Sequence, residues 1–190
     1  WVRVRPEFTT DKQVIRINRR LETYRKEKTI INDTSSFYNY DSKDRTFGIW
    51  EKEKIPCPEF LPISPIDAGN DIDSTIARIK EFIDEHGKAF LRTNNETAAN
   101  GIALLERDTP MQEVNEKLKT LINRCKDFLQ QRKDTRIVLV QFINPKTDQS
   151  FNDIYRVHLL LGKVISYYVV TANLDVFHNC DMDLNSLNRF

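Results

Sequence analysis

The feature that most constrains this chain lies late in it. Two strand-like runs, Ile154 to Leu161 and Lys163 to Thr171, are separated by almost no chain. Gly162-Lys163 fits a two-residue turn with glycine first, as a type II′ turn demands. Strands joined that tightly can pair only antiparallel, because a parallel pair needs a long crossover. A doubly wound parallel sheet is therefore excluded for this region, and the chain is expected to be α+β.

Upstream periodicity agrees. Val14, Ile17, Leu21 and Tyr24 recur at helical spacing and predict an amphipathic helix from Asp11 to Lys26. Thr29-Ile30-Ile31 reads as a short buried strand, followed by a polar loop from Asn32 to Asp41. A helix over Lys43 to Lys52 follows. Pro56 and Pro58 then force extended chain into a strand at Glu59 to Ile63. Ile72, Ile76, Ile79 and Ile83 mark another helix, with Asp73 as its N-cap and Gly87 as its stop. Lys88 to Thr93 and Gly101 to Glu106 read as two strands around the polar loop Asn94–Asn100. Thr109-Pro110-Met111-Gln112 resembles a capping box with proline in the first turn. The helix it opens carries Val114, Leu118, Leu121, Cys125 and Phe128 on one face, which makes Cys125 a core residue. Arg136 to Ile143 is the first of three final strands, expected to form one antiparallel unit. A lobe boundary is expected near Asp134.

Composition narrows the class further. The 190 residues carry 29 Lys and Arg against 28 Asp and Glu, so global charge names no partner. Locally, Trp1 to Lys28 holds nine basic residues against four acidic ones. That stretch reads first as the solvated face of a helix. Nucleic acid is the least favoured partner, because base-stacking aromatics are not interleaved with the cations. Cys57, Cys125 and Cys180 lie far apart and form no C-x-x-C pair, which suits free thiols in a reducing, cytoplasmic setting. The longest apolar runs are too short to span a bilayer, so no membrane is expected. His86, His158 and His178 are dispersed and read as structural. Trp1 to Arg5 alternates like a strand already under way, as in a chain that begins inside a domain.

Four segments, in order, resemble the ATP-grasp ligases of the carboxylate–amine type. Ile31-Asn32-Asp33 followed by "DSKDRTFGIWEKEKIPCPEF" (Asp41 to Phe60) is similar to that family's strand ending in Asn, lysine-bearing helix and Pro-x-Pro exit. "AFLRTNNETAANGIAL" (Ala89 to Leu104) resembles its strand–phosphate loop–strand hairpin. "RIVLVQFI" (Arg136 to Ile143) resembles the hinge strand that hydrogen-bonds adenine. "YRVHLLLGKVISYY" (Tyr155 to Tyr168) resembles its hairpin near the triphosphate and acceptor. The resemblance implies two lobes with antiparallel sheets and flanking helices. Residues 1–33 would end a preceding domain, 34–134 form the N-terminal lobe, and 135–190 begin a C-terminal lobe that is incomplete.

The resemblance also implies a site, and the chemistry of each part is intelligible. A triphosphate needs cations and backbone N–H donors to offset its charge. Lys43, Arg92, Thr93, Thr97 and Gly101 stand at the matching positions. Arg92 replaces the family's usual lysine, and a planar fork is not equivalent to a point charge. It can equally be a strand cation paired with a carboxylate, and Lys43 can equally be plain surface. Adenine needs a backbone donor and acceptor between apolar faces. Gln141, Phe142 and Ile143 stand where the family supplies both, though an acidic residue is usual at Gln141 and the run also suits a core strand. Arg156, at the start of an apolar strand, is the candidate catalytic cation facing phosphate or the acyl substrate. Arg92 and Arg156 are expected to point into one cleft.

The implied reaction joins a carboxylate to an amine or similar nucleophile through an acyl phosphate, with ATP and Mg²⁺. Family ligands for Mg²⁺ come from later strands ending in Glu-x-Asn. Asp183-Leu184-Asn185 imitates that spacing without an apolar strand around it, so no metal ligand is assigned. The alternative from another class is a non-catalytic nucleotide- or partner-binding module. Arg92, Gln141 and a phosphate loop with Gly101 as its one glycine favour that alternative, and the order of elements favours the ligase.

Overall fold

The computed structural model describes residues 9–28, 30, 36–96, 102–143, 152–160 and 162–172. It divides into two compact units, residues 1–142 and 143–190. The class is α+β, with antiparallel sheets in both units.

The first unit contains α1 (Asp11–Arg25), α2 (Phe37–Asp41), α3 (Lys43–Lys52), β1 (Phe60–Ile63), α4 (Pro65–Asn70), α5 (Ile72–His86), β2 (Lys88–Thr93), β3 (Ile102–Glu106), α6 (Met111–Leu129) and β4 (Ile137–Gln141). Its four strands lie in the order β1-β4-β2-β3, antiparallel throughout. One face of the sheet is built from alternate residues, as a pleat requires. Ile63, Ala89, Leu91, Leu105, Ile137 and Leu139 pack there against Ile76, Ile79 and Ile83 of α5 and Val114, Leu118, Leu121 and Ile122 of α6. Cys125 is fully buried in this core, as its helical spacing predicts. Burial pushes its thiol up to about 12, so it is an apolar filler and not a nucleophile. Truncating one of these residues, for example Leu91→Ala, is expected to cost about 2–5 kcal/mol.

The long helices match expectation, but their ends differ for local reasons. Thr10 and Gln13 form a reciprocal capping box at α1. The N-cap of α5 is Asp71, whose carboxylate accepts from Ser74 N at 3.1 Å; Asp73 sits inside the first turn. Gly87 ends that helix with a φ of +81°, a conformation in which a side chain would be strained. At α6 the expected box does not form. Thr109 Oγ1 instead accepts from Glu106 N at 2.8 Å, closing the turn after β3, and Pro110 stands at the N-cap. Part of the expected polar loop, Phe37–Asp41, is helical, because Phe37 is fully buried and anchors it. The expected strand at Thr29–Ile31 falls mostly outside the described residues.

The second unit contains β5 (Asn152–Leu160) and β6 (Lys163–Ala172), paired antiparallel with an irregularity between His158 and Leu159. The hairpin is as expected, but its turn is displaced by one residue. Lys163 already pairs with Leu160, which leaves Gly162, at φ +77°, within the turn. The expected three-stranded unit does not exist as such. β4 is hydrogen-bonded between β1 and β2 in the first unit's sheet, so that unit extends to Phe142, beyond Asp134. The cause is visible in β4 itself. Ile137 to Val140 are all buried, a run suited to an inner strand covered on both faces.

Candidate functional site

Alternation on β2 places Lys88, Phe90 and Arg92 on the sheet face opposite the helical core. Through the registers of the ladder, Ile102, Leu104, Val138, Val140 and Phe142 share that face. Phe90 and Phe142 meet edge-on with centroids 5.4 Å apart. The face is therefore an apolar shelf, covered at Val138 and Val140 and partly exposed at Phe90, Leu104 and Phe142, that ends on the Thr93 side in a cation.

A second cation arrives from α3. Lys43 N donates to Asn94 O at 3.0 Å, which pins the start of α3 to the end of β2. Lys43 Nζ then donates to Asn94 O at 3.1 Å and Glu96 O at 2.9 Å. Arg92 donates to the same Glu96 carbonyl at 3.0 Å. Lys43 and Arg92 thus converge on one loop, and their hydrogen-bond acceptors there are carbonyls. Burial, and then the Arg92 charge, push the Lys43 ammonium down to about 8. Burial likewise pushes Arg92 down to about 10. Neither makes an ion pair within 4 Å among the described residues.

The nearest loop carboxylate is already engaged. Glu96 is 3% exposed and is gripped by Arg124 of α6 through contacts of 2.5–2.8 Å. Thr93 Oγ1 donates to it at 2.7 Å. The hydroxyl of Thr93 is therefore spent on the loop itself. Asn94, fully buried, cross-links the loop to Asp44, Asp134 O and Arg136 N at 2.8–2.9 Å. Asn95 Oδ1 is buried without a hydrogen-bond partner among the described residues.

A neighbouring cluster is closed. Arg132 pairs with Asp41 at 2.5 Å and Asp134 at 2.9 Å, and all three side chains are at most 7% exposed. Arg132 also lies over the Phe37 and Tyr38 rings. Ser42 Oγ donates to Asp134 at 2.5 Å. Burial opposes the Asp134 charge, but the Arg132 and Ser42 hydrogen bonds outweigh it and hold this carboxyl below its ordinary value.

The structure thus brings Lys43, Arg92 and Thr93 together. Thr97 and Gly101 lie outside the described residues. Gln141, Phe142 and Ile143 sit at the opposite end of the β2–β4 ladder, where Ala89 pairs with Gln141 and Thr93 with Ile137. Two of their three backbone donors are used within the sheet. Gln141 N donates to Glu59 O at 2.8 Å and Phe142 N to Lys88 O at 3.0 Å. The Gln141 side chain accepts from Glu59 N at 3.2 Å. Of the three, Ile143 is left to supply a donor. Arg156 lies in β5 of the other unit, opposite Tyr168. His158 is 2.7 Å from Ser166 across the hairpin, a structural contact. Sequence reasoning missed Glu96, Asn94, Arg124 and Arg132. A buried arginine in the short connection between α6 and β4 carries no periodic signal, and an asparagine in a loop looks like any turn residue.

The sequence matches no family model and no curated protein. The fold is similar to D-alanyl-alanine synthetase A from Vibrio cholerae O1 biovar eltor, at 13% identity and a TM-score of 0.46, over 70% of this chain and 33% of that one. It is also similar to the D-cycloserine synthetase DcsG, at 9% identity and a TM-score of 0.49, over 77% of this chain and 44% of that one. The chain spans less than half the length of either. Likeness at this level concerns the shape of the backbone and assigns no activity.

Proposed function

We propose that the chain binds the phosphates of ATP at Lys43 and Arg92 and serves an ATP-dependent carboxylate–amine ligase. The observation that carries this reading is the pair of desolvated cations sharing the Glu96 carbonyl. Two partly buried positive charges that lean on carbonyls are poorly compensated, and a phosphate oxygen is a stronger acceptor than either. The apolar shelf of Phe90, Leu104, Val140 and Phe142 leads away from them toward the end of β4, where a purine would find apolar faces and the Phe142 carbonyl.

In this reading Lys43 and Arg92 hold phosphate oxygens and offset the charge that builds as a carboxylate attacks the γ-phosphate and ADP leaves. The acyl phosphate formed is then displaced by an amine or similar nucleophile, releasing phosphate. Arg156 is proposed as the cation that orients phosphate or the acyl group. Mg²⁺ would supply further charge neutralisation. No group of three or more carboxylate, imidazole or thiolate ligands occurs among the described residues, so no step is assigned to it. No described helix is long and apolar enough to cross a membrane, and a cytoplasmic setting is proposed on the cysteine pattern.

One observation favours the alternative, a nucleotide-binding module without catalysis. Gln141 is turned back onto Glu59, so the polar side chain of the hinge is occupied within the sheet. The test is a titration of the chain with ATP, with and without Mg²⁺, followed by ADP release across a panel of carboxylates and amines. Lys43→Met and Arg92→Met are each expected to weaken ATP binding about tenfold, as loss of one charge-assisted contact does. Unchanged affinity in both variants would defeat the phosphate site. Intact binding without turnover would leave the module reading standing and remove the ligase.

A further inference from the structure

We propose that the exposed basic face of α1 binds the phosphodiester backbone of a nucleic acid. At about 100° per residue, Lys12, Arg16, Arg19, Arg20 and Lys26 fall within an arc of about 120°. All five are exposed. None makes an ion pair or side-chain hydrogen bond among the described residues, whereas Glu22, just outside the arc, is taken by Arg25. Within α1 itself no carboxylate lies in the arc, and Glu27, just past the helix end, is the one acidic residue at a matching angle. The opposite side of the helix carries Val14, which is buried, with Ile17 and Leu21 partly covered. The cations therefore face outward because the apolar stripe faces the protein.

The surface continues beyond the helix. A shallow cleft beside Lys12 and Ile15 reaches Lys133, and a second cleft runs from Lys133 to Arg45 and Arg136. The carboxylates in these clefts are occupied. Asp11 accepts from Tyr38 at 2.7 Å and from Lys133 N at 3.1 Å, and Asp134 is held by Arg132. The same Asp11 bonds fix α1 to the α6–β4 connection, so the basic face sits on an anchored helix.

Charge complementarity decides the occupant. From Lys12 to Lys26 the helix runs about 21 Å at 1.5 Å per residue. Along one strand of a duplex that length passes about six phosphates. Three of the five cations are arginines, whose planar forks match phosphate oxygens. A lipid surface is a poorer fit, since a helix lying in a membrane needs an exposed apolar face, and Ile15 is the one aliphatic side chain bordering this arc. The sparse aromatics of the stretch, with Tyr24 exposed on the helix, weigh against reading of bases, whereas contact with the phosphodiester backbone does not require stacking.

The experiment uses the whole chain, a fluorescein-labelled 20-base-pair DNA duplex and fluorescence anisotropy from 50 to 200 mM salt. The wild type is expected to bind with a steep salt dependence. The variant R16A/R19A/R20A should lose at least tenfold in affinity at 50 mM salt, with the slope of log K against log salt shallower by about 2.7, or 0.9 per lost phosphate contact. Its urea midpoint should be unchanged, because the three side chains are exposed. A variant with the same charge change elsewhere, K52A/K119A/K126A, should bind like wild type. Equal losses in the two variants, or no binding at 50 mM salt, would overturn the proposal. So would a preference for phosphatidylserine vesicles over the duplex, which would make the partner a lipid surface.

Discussion

Lys43 and Arg132 are both desolvated cations, Arg132 fully buried and Lys43 partly so, yet their surroundings differ. Arg132 is enclosed by two carboxylates and two aromatic rings, with its side chain 3% exposed. Lys43 leans on two carbonyls beside a second cation. The first arrangement is complete, and adding an anion would only compete with Asp41 and Asp134. The second leaves positive charge that folding alone does not neutralise. Buried charge that is matched from within serves the fold, and buried charge that is matched poorly is where a ligand gains most.

The largest effect belongs to the closed cluster. Arg132→Met strands Asp41 and Asp134 in the interior without a counter-charge and is expected to cost about 3–5 kcal/mol. Urea unfolding would measure it. Adding Asp41→Asn and Asp134→Asn should return part of the loss, since neutral amides need no counter-ion. A loss below about 1 kcal/mol for Arg132→Met would mean that the cluster is wet and open, and the contrast with Lys43 would vanish.

Glu96 ties the loop under Lys43 and Arg92 to α6 and should show an intermediate effect. Glu96→Gln removes the carboxylate that Arg124 grips, while keeping one acceptor for Thr93. Arg124 is 42% exposed, so solvent recovers part of the loss, and about 1–2 kcal/mol is expected. If the loop exists to hold Lys43 and Arg92 in register, ATP affinity should fall in parallel although Glu96 touches neither phosphate nor purine. Affinity at the wild-type level, combined with reduced stability, would separate the loop from the site.

How much of this was legible in the sequence depends on the range of the signal. Helix α5 announces itself through four isoleucines at helical spacing, and its glycine stop falls where the backbone turns left-handed. The hairpin β5–β6 follows from two apolar runs that have no room to cross over. Local patterns do not say which sheet a strand joins. β4 was readable as a strand, but its place between β1 and β2 depends on pairings 44 to 80 residues away in sequence. The caps failed for a similar reason. Asp71 and Asp73 have the same chemistry two residues apart, and only the path of the chain out of α4 decides between them. At the site, Lys43 and Arg92 could be named because the segments around them resemble those of the ATP-grasp ligases. Glu96 and Asn94 could not, because their burial comes from α6 and from the α6–β4 connection, which fold over the loop from far along the chain.

The smallest effect concerns Lys43 and has the opposite sign to the others. Lys43→Met removes a desolvated charge without orphaning its acceptors. Asn94 O still receives the backbone N–H of residue 43, and Glu96 O still receives Arg92. The variant is expected to be more stable than wild type by about 1–2 kcal/mol at pH 7 while binding ATP worse, the usual exchange at a site built for a ligand. The pH dependence isolates the cause. The Lys43 pKa is near 8 when folded and 10.5 as the unperturbed value, so between these the unfolded state binds more protons. Wild-type stability must then rise with pH across that window. From pH 7 to 9 the rise attributable to Lys43 is about 1 kcal/mol, and it should be missing from Lys43→Met. ATP binding should run the other way, weakening above about pH 8 as the ammonium that meets the phosphate loses its proton. Parallel urea titrations of the two proteins at pH 7, 8 and 9 read the difference directly. Identical pH profiles would place the ammonium in water, fully charged throughout, and Lys43 would then be an ordinary surface lysine.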